Sequence, residues 1–595
     1  MASLRNLRRF SGTISPLLAV AAIWFACAVL LLLLYRTNIL SLTFTDTDDA
    51  MRLQQVRDWI NGQGWFDVTQ YRINPPVGGP MHWSRLVDLP IAAAILMARP
   101  LVGMPAAEIL ACAIIPMVTL ALLFFALFRV SRLLMTPQLA LLSILLLAVT
   151  PTILIQFTPM RIDHHGWQIV MATLALGGAL DPRKGRGGMM AGVAIAAWLQ
   201  ISTEALPYAA TFGALFVLRY AMDEREGVRL TGFASMLGGA AIALLLATHG
   251  TAALYQSQCD ALSAVYAWPL AFFGIIIMVG TRLPRPGSFW NRLIVPAVGA
   301  GAALGTSLWL GADCLTAGPF HELTPLAYEQ WYMRVMEGRP LWEQVPAMAG
   351  VSLLPSLIGL GSTLAAAAAA HEREAKARWL VMAVALTGAI LVSAMVMRAM
   401  TVAHVFALPG IAFMLVAAFR YIQHLRLAVL RVCLSSLLAL FTPVGTAAAW
   451  SGIAEVAEPT RLVVKDNCRL PSVLGHLRAL PPSLLFAPLD IGPDILVYTR
   501  HSVVGTGHHR NVIGINSVTH AFVSPPDAAR ADIMAANGGR GAQYLVMCPR
   551  MNEMLIYAHT APDGLAAHLA KGKPPVWLQP VPIKAPLRLY RITSP

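Results

Sequence analysis

The chain has 595 residues, 57% of them apolar and only 12% charged, with a mean hydropathy of +0.63. So much apolar side chain excludes a water-soluble enzyme with one core and predicts a chain that crosses a membrane many times. The net charge of +14 comes with no basic stripe of interleaved aromatics, which excludes a nucleic-acid surface and leaves membrane topology as its cause.

In chain order, the first element is the apolar stretch 15–35, which follows Arg5, Arg8 and Arg9. It is longer than a signal-peptide core and no small-residue cleavage site follows, so it reads as a retained first helix. Further apolar runs predict spans near 107–128, 138–157, 165–181, 188–204, 207–222, 230–248, 262–280, 292–311, 346–369, 378–397, 399–419 and 430–450, thirteen in all. Cytoplasmic loops should carry the Lys and Arg. With the N-terminus inside, the inner loops hold Arg129 and Arg132, "DPRKGRGG", Arg219, Arg225 and Arg229, "TRLPRPGSFWNR", "HEREAKAR", and Arg420, Arg426 and Arg431. The short outer loops after the third, fifth and seventh spans contain only Arg161. Thirteen spans then leave the C-terminal tail outside.

Three outer segments are long: 36–106, 312–345 and the tail 451–595. The tail alternates short β-type runs ("PSLLFAPL", "ILVYT", "AQYLVMC", "LRLYRI") with helical stretches such as "PDAARADIMAANGG", the pattern of a small α/β domain. The expected organisation is a polytopic helical domain over 1–450 and an α/β domain over 451–595. Cys27, Cys112 and Cys433 fall within spans, whereas Cys259, Cys314, Cys468 and Cys548 fall outside. Pairs Cys259–Cys314 and Cys468–Cys548 are candidate disulfides, although spacing cannot give connectivity.

Chemistry concentrates on the outer face. In "FTDTDDAMRLQQVRDWINGQGWFDVTQYRINPPVGGPMHWSRLVDLP", Asp46 or Thr47 can cap a helix beginning at Asp48. Acids ahead of a helix suit a hard divalent cation. "RIDHHG", between the third and fourth spans, adds Asp163, His164 and His165 at the same face. The loop after the ninth span offers His321 and Glu322, with Glu329 a poorer candidate. Arg398 interrupts an apolar run, with His404 six residues on. A cation there is costly unless it faces a pathway or an anionic substrate group such as phosphate. A transporter or flippase would place Arg398 and His404 along a pathway, but no inverted repeat or paired broken helices appear. A non-catalytic scaffold would need no metal at the acids.

The motifs "DDAMRLQQVRDWI", "GGPMHWSRLVDLPIA", "RIDHHGWQI" and "MRAMTVAHVFALPGIAFML" resemble, in that order, the catalytic subunit of oligosaccharyltransferases. These belong to the GT-C superfamily of polyprenol-dependent glycosyltransferases. The resemblance runs along the helical body and the tail. It implies a membrane glycosyltransferase of the bacterial inner membrane, with a periplasmic tail domain and a lipid-linked sugar donor. It implies that Asp48 binds a Mn²⁺ or Mg²⁺ ion and positions the acceptor nucleophile, with Asp163 and His165 as further ion ligands. Glu322 stands where the family has a loop Glu, and Arg398, with His404 near it, meets the donor phosphate. Asp49 receives no role. Family members that glycosylate Asn carry a Trp-Trp-Asp motif in the tail. Here Asp490 and Gly492 match but Pro488 and Leu489 replace both Trp. The acceptor is therefore expected to differ from an Asn sequon, with Asp490, His508, His509 and Arg510 as acceptor-side candidates. Whole-glycan and single-sugar transfer, to lipid, polysaccharide or protein, both stay open.

Overall fold

The computed structural model describes residues 15–283, 287–316, 320, 322–457 and 467–593; His321 lies outside them. Each predicted span coincides with a helix or with a helix pair broken at a sharp bend. Among the described residues, eight helices are long and apolar enough to cross a bilayer: Pro16–Leu34, Met104–Leu134, Thr203–Met222, Glu224–His249, Phe289–Cys314, Pro346–Ala369, Arg373–Met395 and Met397–Gln423. Two bent pairs raise the number to ten: Pro137–Ala148 with Pro151–Phe157, bent by 68°, and Ala428–Phe441 with Pro443–Ala454, bent by 84°. Each second half begins at a proline, which tolerates the first helical position but cannot continue the ladder behind it. The helices His165–Leu180, Lys184–Ile201 and Ala264–Gly280 occupy the three remaining predicted positions.

Small residues let these shorter helices pack backbone to backbone. A Cβ at Gly192 would stand 2.5 Å from the Phe233 carbonyl oxygen, and one at Gly238 would stand 2.5 Å from that of Leu270. Lys184–Ile201, Glu224–His249 and Ala264–Gly280 thus touch at distances only glycine permits.

Buried apolar side chains form two cores. One lies among the helices. The other joins the first long loop, through Phe44, Met51, Leu53, Ile73 and Trp83, and Met160 and Ile162, to the C-terminal sheet domain. This second core crosses the expected division at residue 450. The sheet contains β1 (Leu484–Phe486), β2 (Ser502–Val503), β3 (Tyr544–Met547), β4 (Leu578–Val581) and β5 (Arg588–Ile592), in the order β2-β1-β3-β5-β4. β1 is parallel to both neighbours, and β5 is antiparallel to both of its own. Ile73 of the first loop adds a parallel bridge beside Val503.

One tail element differs from expectation: "ILVYT" lies mainly in the helix Gly492–Tyr498 rather than in a strand. Pro493 near its start presets helical φ, and every residue of the helix is buried, so an all-apolar run carried no period to separate strand from helix. Its C-terminal carbonyls are met by the first loop. Arg72 donates to the oxygens of Leu496 (2.6 Å), His501 (3.0 Å) and Thr499 (3.1 Å), and Arg57 donates to that of Val497 (2.7 Å). Both candidate disulfides are present, Cys259–Cys314 with Cα atoms 5.0 Å apart and Cys468–Cys548 with 6.3 Å, separations a disulfide spans readily.

Candidate active site

The site forms where the first loop, the 158–165 turn and the sheet domain meet at one end of the helical body. Asp46 caps the helix Thr47–Ile60, its carboxylate accepting the Asp48 N–H at 3.0 Å. The two acids that follow point to different surroundings. Asp48 is a third exposed, and its Oδ1 lies 3.4 Å from Nε2 of His508. Burial raises its carboxyl, but the hydrogen bond and charge of His508, with His164 and His165 nearby, outweigh that and hold it below the usual carboxylate range. Asp49 is fully buried and accepts the backbone N–H of Asp163 at 2.9 Å, tying the turn to the helix. Burial and the charge of Asp163 push its carboxyl well up.

Asp163 Oδ1 accepts the His165 N–H at 2.9 Å, which fixes the start of the helix His165–Leu180. Arg161 lies among three acids, with nitrogen–oxygen distances of 2.6 Å to Asp46, 3.0 Å to Asp163 and 3.8 Å to Asp49. Burial raises the Asp163 carboxyl, but Arg161 and then His165 bring it down to about 2. Burial pushes the His164 imidazole down to about 3, with His165 adding to the effect.

A cavity of about 20 Å³ opens beside this cluster, lined by Gln156, His165, Gln168, Glu204, Tyr208 and Arg398 among others. Arg398 is ion-paired with Glu204 and lies 3.4 Å from Glu337. It is close enough to Asp48 for their charges to interact.

The fold thus brings Asp48, Asp163, His165, His508 and Arg398 together. It places the other candidates elsewhere. His404 is fully buried between helices, with Nε2 2.9 Å from the Ser352 carbonyl oxygen and Nδ1 2.8 Å from Thr152 Oγ1. Glu322 is exposed in the turn before the helix Pro325–Gln330. Asp490 is exposed, and its N–H donates to Glu553 at 2.9 Å. His509 and Arg510 engage Asp260 at 2.7 and 2.6 Å.

No protein-family model matches the chain, and no curated protein matches it. Solved structures do. That of the archaeal oligosaccharyltransferase AglB from Archaeoglobus fulgidus, in complex with an inhibitory peptide and a dolichol-phosphate, matches with a TM-score of 0.65 at 14% identity. The match covers 94% of this chain and 72% of that one. The Archaeoglobus fulgidus oligosaccharyltransferase tethered to an acceptor peptide containing the NVT sequon gives 0.61, at 14% identity, over 93% and 72%. Its complex with Zn and sulfate gives 0.57, at 14% identity, over 91% and 70%. The chain shares the fold of these oligosaccharyltransferase structures.

Within this AglB-like fold, sequence reasoning left several site residues out. Asp49 was a neighbour without a role, and its burial separates it from Asp48. Arg161 looked like a stray basic residue on an outer loop. Glu204 follows an apolar helix with no motif around it. His82 and Asp260 lie 178 residues apart and meet only through the fold.

A divalent cation, which the fold family implies, suits the donor chemistry of the cluster. Asp49 Oδ2, Asp163 Oδ2 and His164 Nδ1 are buried atoms without an aligned hydrogen-bond donor. Among the described residues, however, only His82, Asp260 and His509 bring three ligand atoms within 4.8 Å of one another. Asp46, Asp49 and Asp163 are spread around Arg161 instead.

Proposed function

We propose that this protein is a membrane glycosyltransferase that moves a sugar or glycan from a polyprenyl-linked phosphate or diphosphate donor to an acceptor hydroxyl, with inversion at the anomeric carbon. The observation that carries the reading is the meeting, at one end of the helical body, of an accessible carboxylate (Asp48) beside His508, an acid-imidazole pair (Asp163 and His165), and a guanidinium (Arg398) that lines one small cavity with His165. In the transfer, the bond from the anomeric carbon to the phosphate oxygen breaks as the bond to the acceptor oxygen forms. Arg398, steered by Glu204, meets the negative charge developing on the departing phosphate. Asp48 accepts the acceptor proton, and His508 orients its carboxylate. Asp48, Asp163 and His165 would hold the ion, Mn²⁺ or Mg²⁺, which when bound supplies further charge stabilisation at the phosphate. An imidazole ligand favours Mn²⁺ over Mg²⁺.

Placing His508 against Asp48 supports a hydroxyl acceptor over an Asn sequon. The sheet domain brings an imidazole to the acid that would receive the proton, while Asp490 is tied into the Glu553 network through its N–H. The disulfides and the basic inner loops support a location in the bacterial inner membrane, with the sheet domain and the site on the periplasmic side.

The test uses purified full-length protein with lipid-linked donor extracted from its native membranes, and with envelope lipids or sequon peptide as separate acceptors. Transfer to the envelope fraction that needs a divalent ion, falls about 10²-fold or more in Asp48→Asn and disappears in Asp163→Ala is expected. Full activity in Asp163→Ala, or glycosylation of the peptide at Asn with the envelope fraction untouched, overturns the reading.

A further inference from the structure

A second polar cluster lies next to the candidate active site and has no part in the proposed chemistry. His82 of the first loop, Asp260 of the segment after the helix Glu224–His249, and His509 of the sheet domain come from three distant parts of the chain. One ligand atom from each falls within 4.8 Å of the other two. His509 Nε2 is already 2.7 Å from Asp260 Oδ2, and the His82 and His509 rings lie 4.3 Å apart between centroids. His82 Nδ1 is buried and has no hydrogen-bond partner.

We propose that His82, Asp260 and His509 form a three-ligand metal site, most suited to Zn²⁺, that fastens the sheet domain to the first loop beside the active site. Two imidazoles and one carboxylate are a borderline-soft donor set, which suits zinc better than magnesium or calcium, and they leave a fourth position for water. Zinc–nitrogen bonds of roughly 2.1 Å in a tetrahedral site need ligand atoms about 3.4 Å apart. The three ligand atoms already lie within 4.8 Å of one another, with His509 Nε2 2.7 Å from Asp260 Oδ2. On binding, His509 exchanges its hydrogen bond to Asp260 for a bond to the ion and carries its remaining proton on Nδ1.

The surroundings supply the support that metal ligands have. Arg510 grips both oxygens of Asp260, through Nε at 2.6 Å and Nη2 at 2.7 Å, and is itself held by Gln258 Oε1 at 2.7 Å and the Met81 carbonyl oxygen at 3.1 Å. Cys259, adjacent to Asp260, is anchored by its disulfide to Cys314. The clasp adjoins the reacting groups on two strands of chain. Trp83 follows His82 and packs edge-on against His508 at 5.2 Å, and His508 precedes His509. An ion on His82 and His509 therefore fixes the imidazole that faces Asp48.

The site is tested apart from the catalytic one. Full-length protein carrying Asp48→Ala and Asp163→Ala is stripped with chelator and titrated with Zn²⁺ against a chromophoric competitor. One equivalent should still bind, and its thermal midpoint should rise. Adding His509→Gln, or separately His82→Asn, should abolish both the binding and the zinc-induced rise, each variant's midpoint being compared with and without Zn²⁺. Should one of these variants not fold, the other, together with the visible spectrum of the Co²⁺-loaded protein, reads the same ligands: tetrahedral bands with the histidines present and none without. No Zn²⁺ bound in the Asp48→Ala, Asp163→Ala background, or binding that survives both histidine changes, overturns the proposal. Loss of all zinc in that background with the histidines intact would instead assign the ion to the catalytic acids.

Discussion

Asp48 and Asp49 are neighbours of one residue type at one helix start, and the helix turn gives them opposite lives. Asp48 is a third exposed and faces His508, while Asp49 faces inward and carries the Asp163 N–H. Their substitutions should separate accordingly. Asp49→Asn keeps an oxygen for that N–H and should leave transfer within a few-fold, whereas Asp48→Asn should lose about 10²-fold or more. Asp49→Ala orphans a buried donor and should cost about 1–3 kcal/mol in a denaturation series. Glu204 acts through Arg398 and is a positioning residue. Glu204→Gln should raise KM for the lipid-linked donor more than it lowers kcat, and equal effects on both would contradict that role. In the sheet domain, Asp494 is buried, with Oδ2 2.6 Å from Arg469 Nε and Oδ1 without a partner. Burial, only partly offset by Arg469, pushes its carboxyl up to about 6. The folded state thus holds this proton more tightly than the unfolded one. The contribution to stability is complete below about pH 4 and is lost as pH rises through 6. Unfolding monitored by tryptophan fluorescence should show Asp494→Asn gaining on the unsubstituted protein across that window.

At the scale of elements, the docking of the first loop on the helix Gly492–Tyr498 positions the site, because it brings Asp48 and His508 to one place. Arg72 alone satisfies three carbonyl oxygens there. Arg72→Ala should destabilise this contact by about 2–4 kcal/mol and speed proteolysis of the sheet domain, with the helical body unaffected. Among the membrane helices, Gly192→Val has no room beside the Phe233 carbonyl. It should force Lys184–Ile201 away from Glu224–His249 and lower the detergent-solubilised thermal midpoint, whereas Gly239→Ala, facing open space, should be tolerated.

For the whole molecule, the prediction concerns orientation. Reporter fusions after residues 186 and 376 should read cytoplasmic, and fusions after 330 and 480 should read external. A cytoplasmic reading after 480 would put the sheet domain, and with it His508, on the wrong side for an external donor. The two disulfides bear on the same question, since both staple segments on the site's side of the protein: Cys259–Cys314 beside Asp260, and Cys468–Cys548 within the sheet-domain core.

The amino-acid sequence by itself determined the helical body, because in a bilayer a long apolar run can satisfy its backbone only as a helix. It also determined where the acids sit, since Asp46, Asp48 and "RIDHHG" flank such runs and cannot enter them cheaply. Three of the tail strands, β1, β3 and β5, were legible from their β-branched and aromatic runs. Only the tertiary structure decided the rest. "ILVYT" is buried on every side, so its period was silent, and the carbonyl partners that settle it come from Arg57 and Arg72 more than 400 residues away. His404 has the sequence of a substrate contact and the surroundings of a packing residue, because the helices holding Thr152 and Ser352 close over it. Glu204 finds Arg398, and His82 finds Asp260 and His509, across separations that no local pattern encodes. Side-chain chemistry is written along the chain, but which groups share a cavity is set by helix packing and by the core that the first loop makes with the sheet domain.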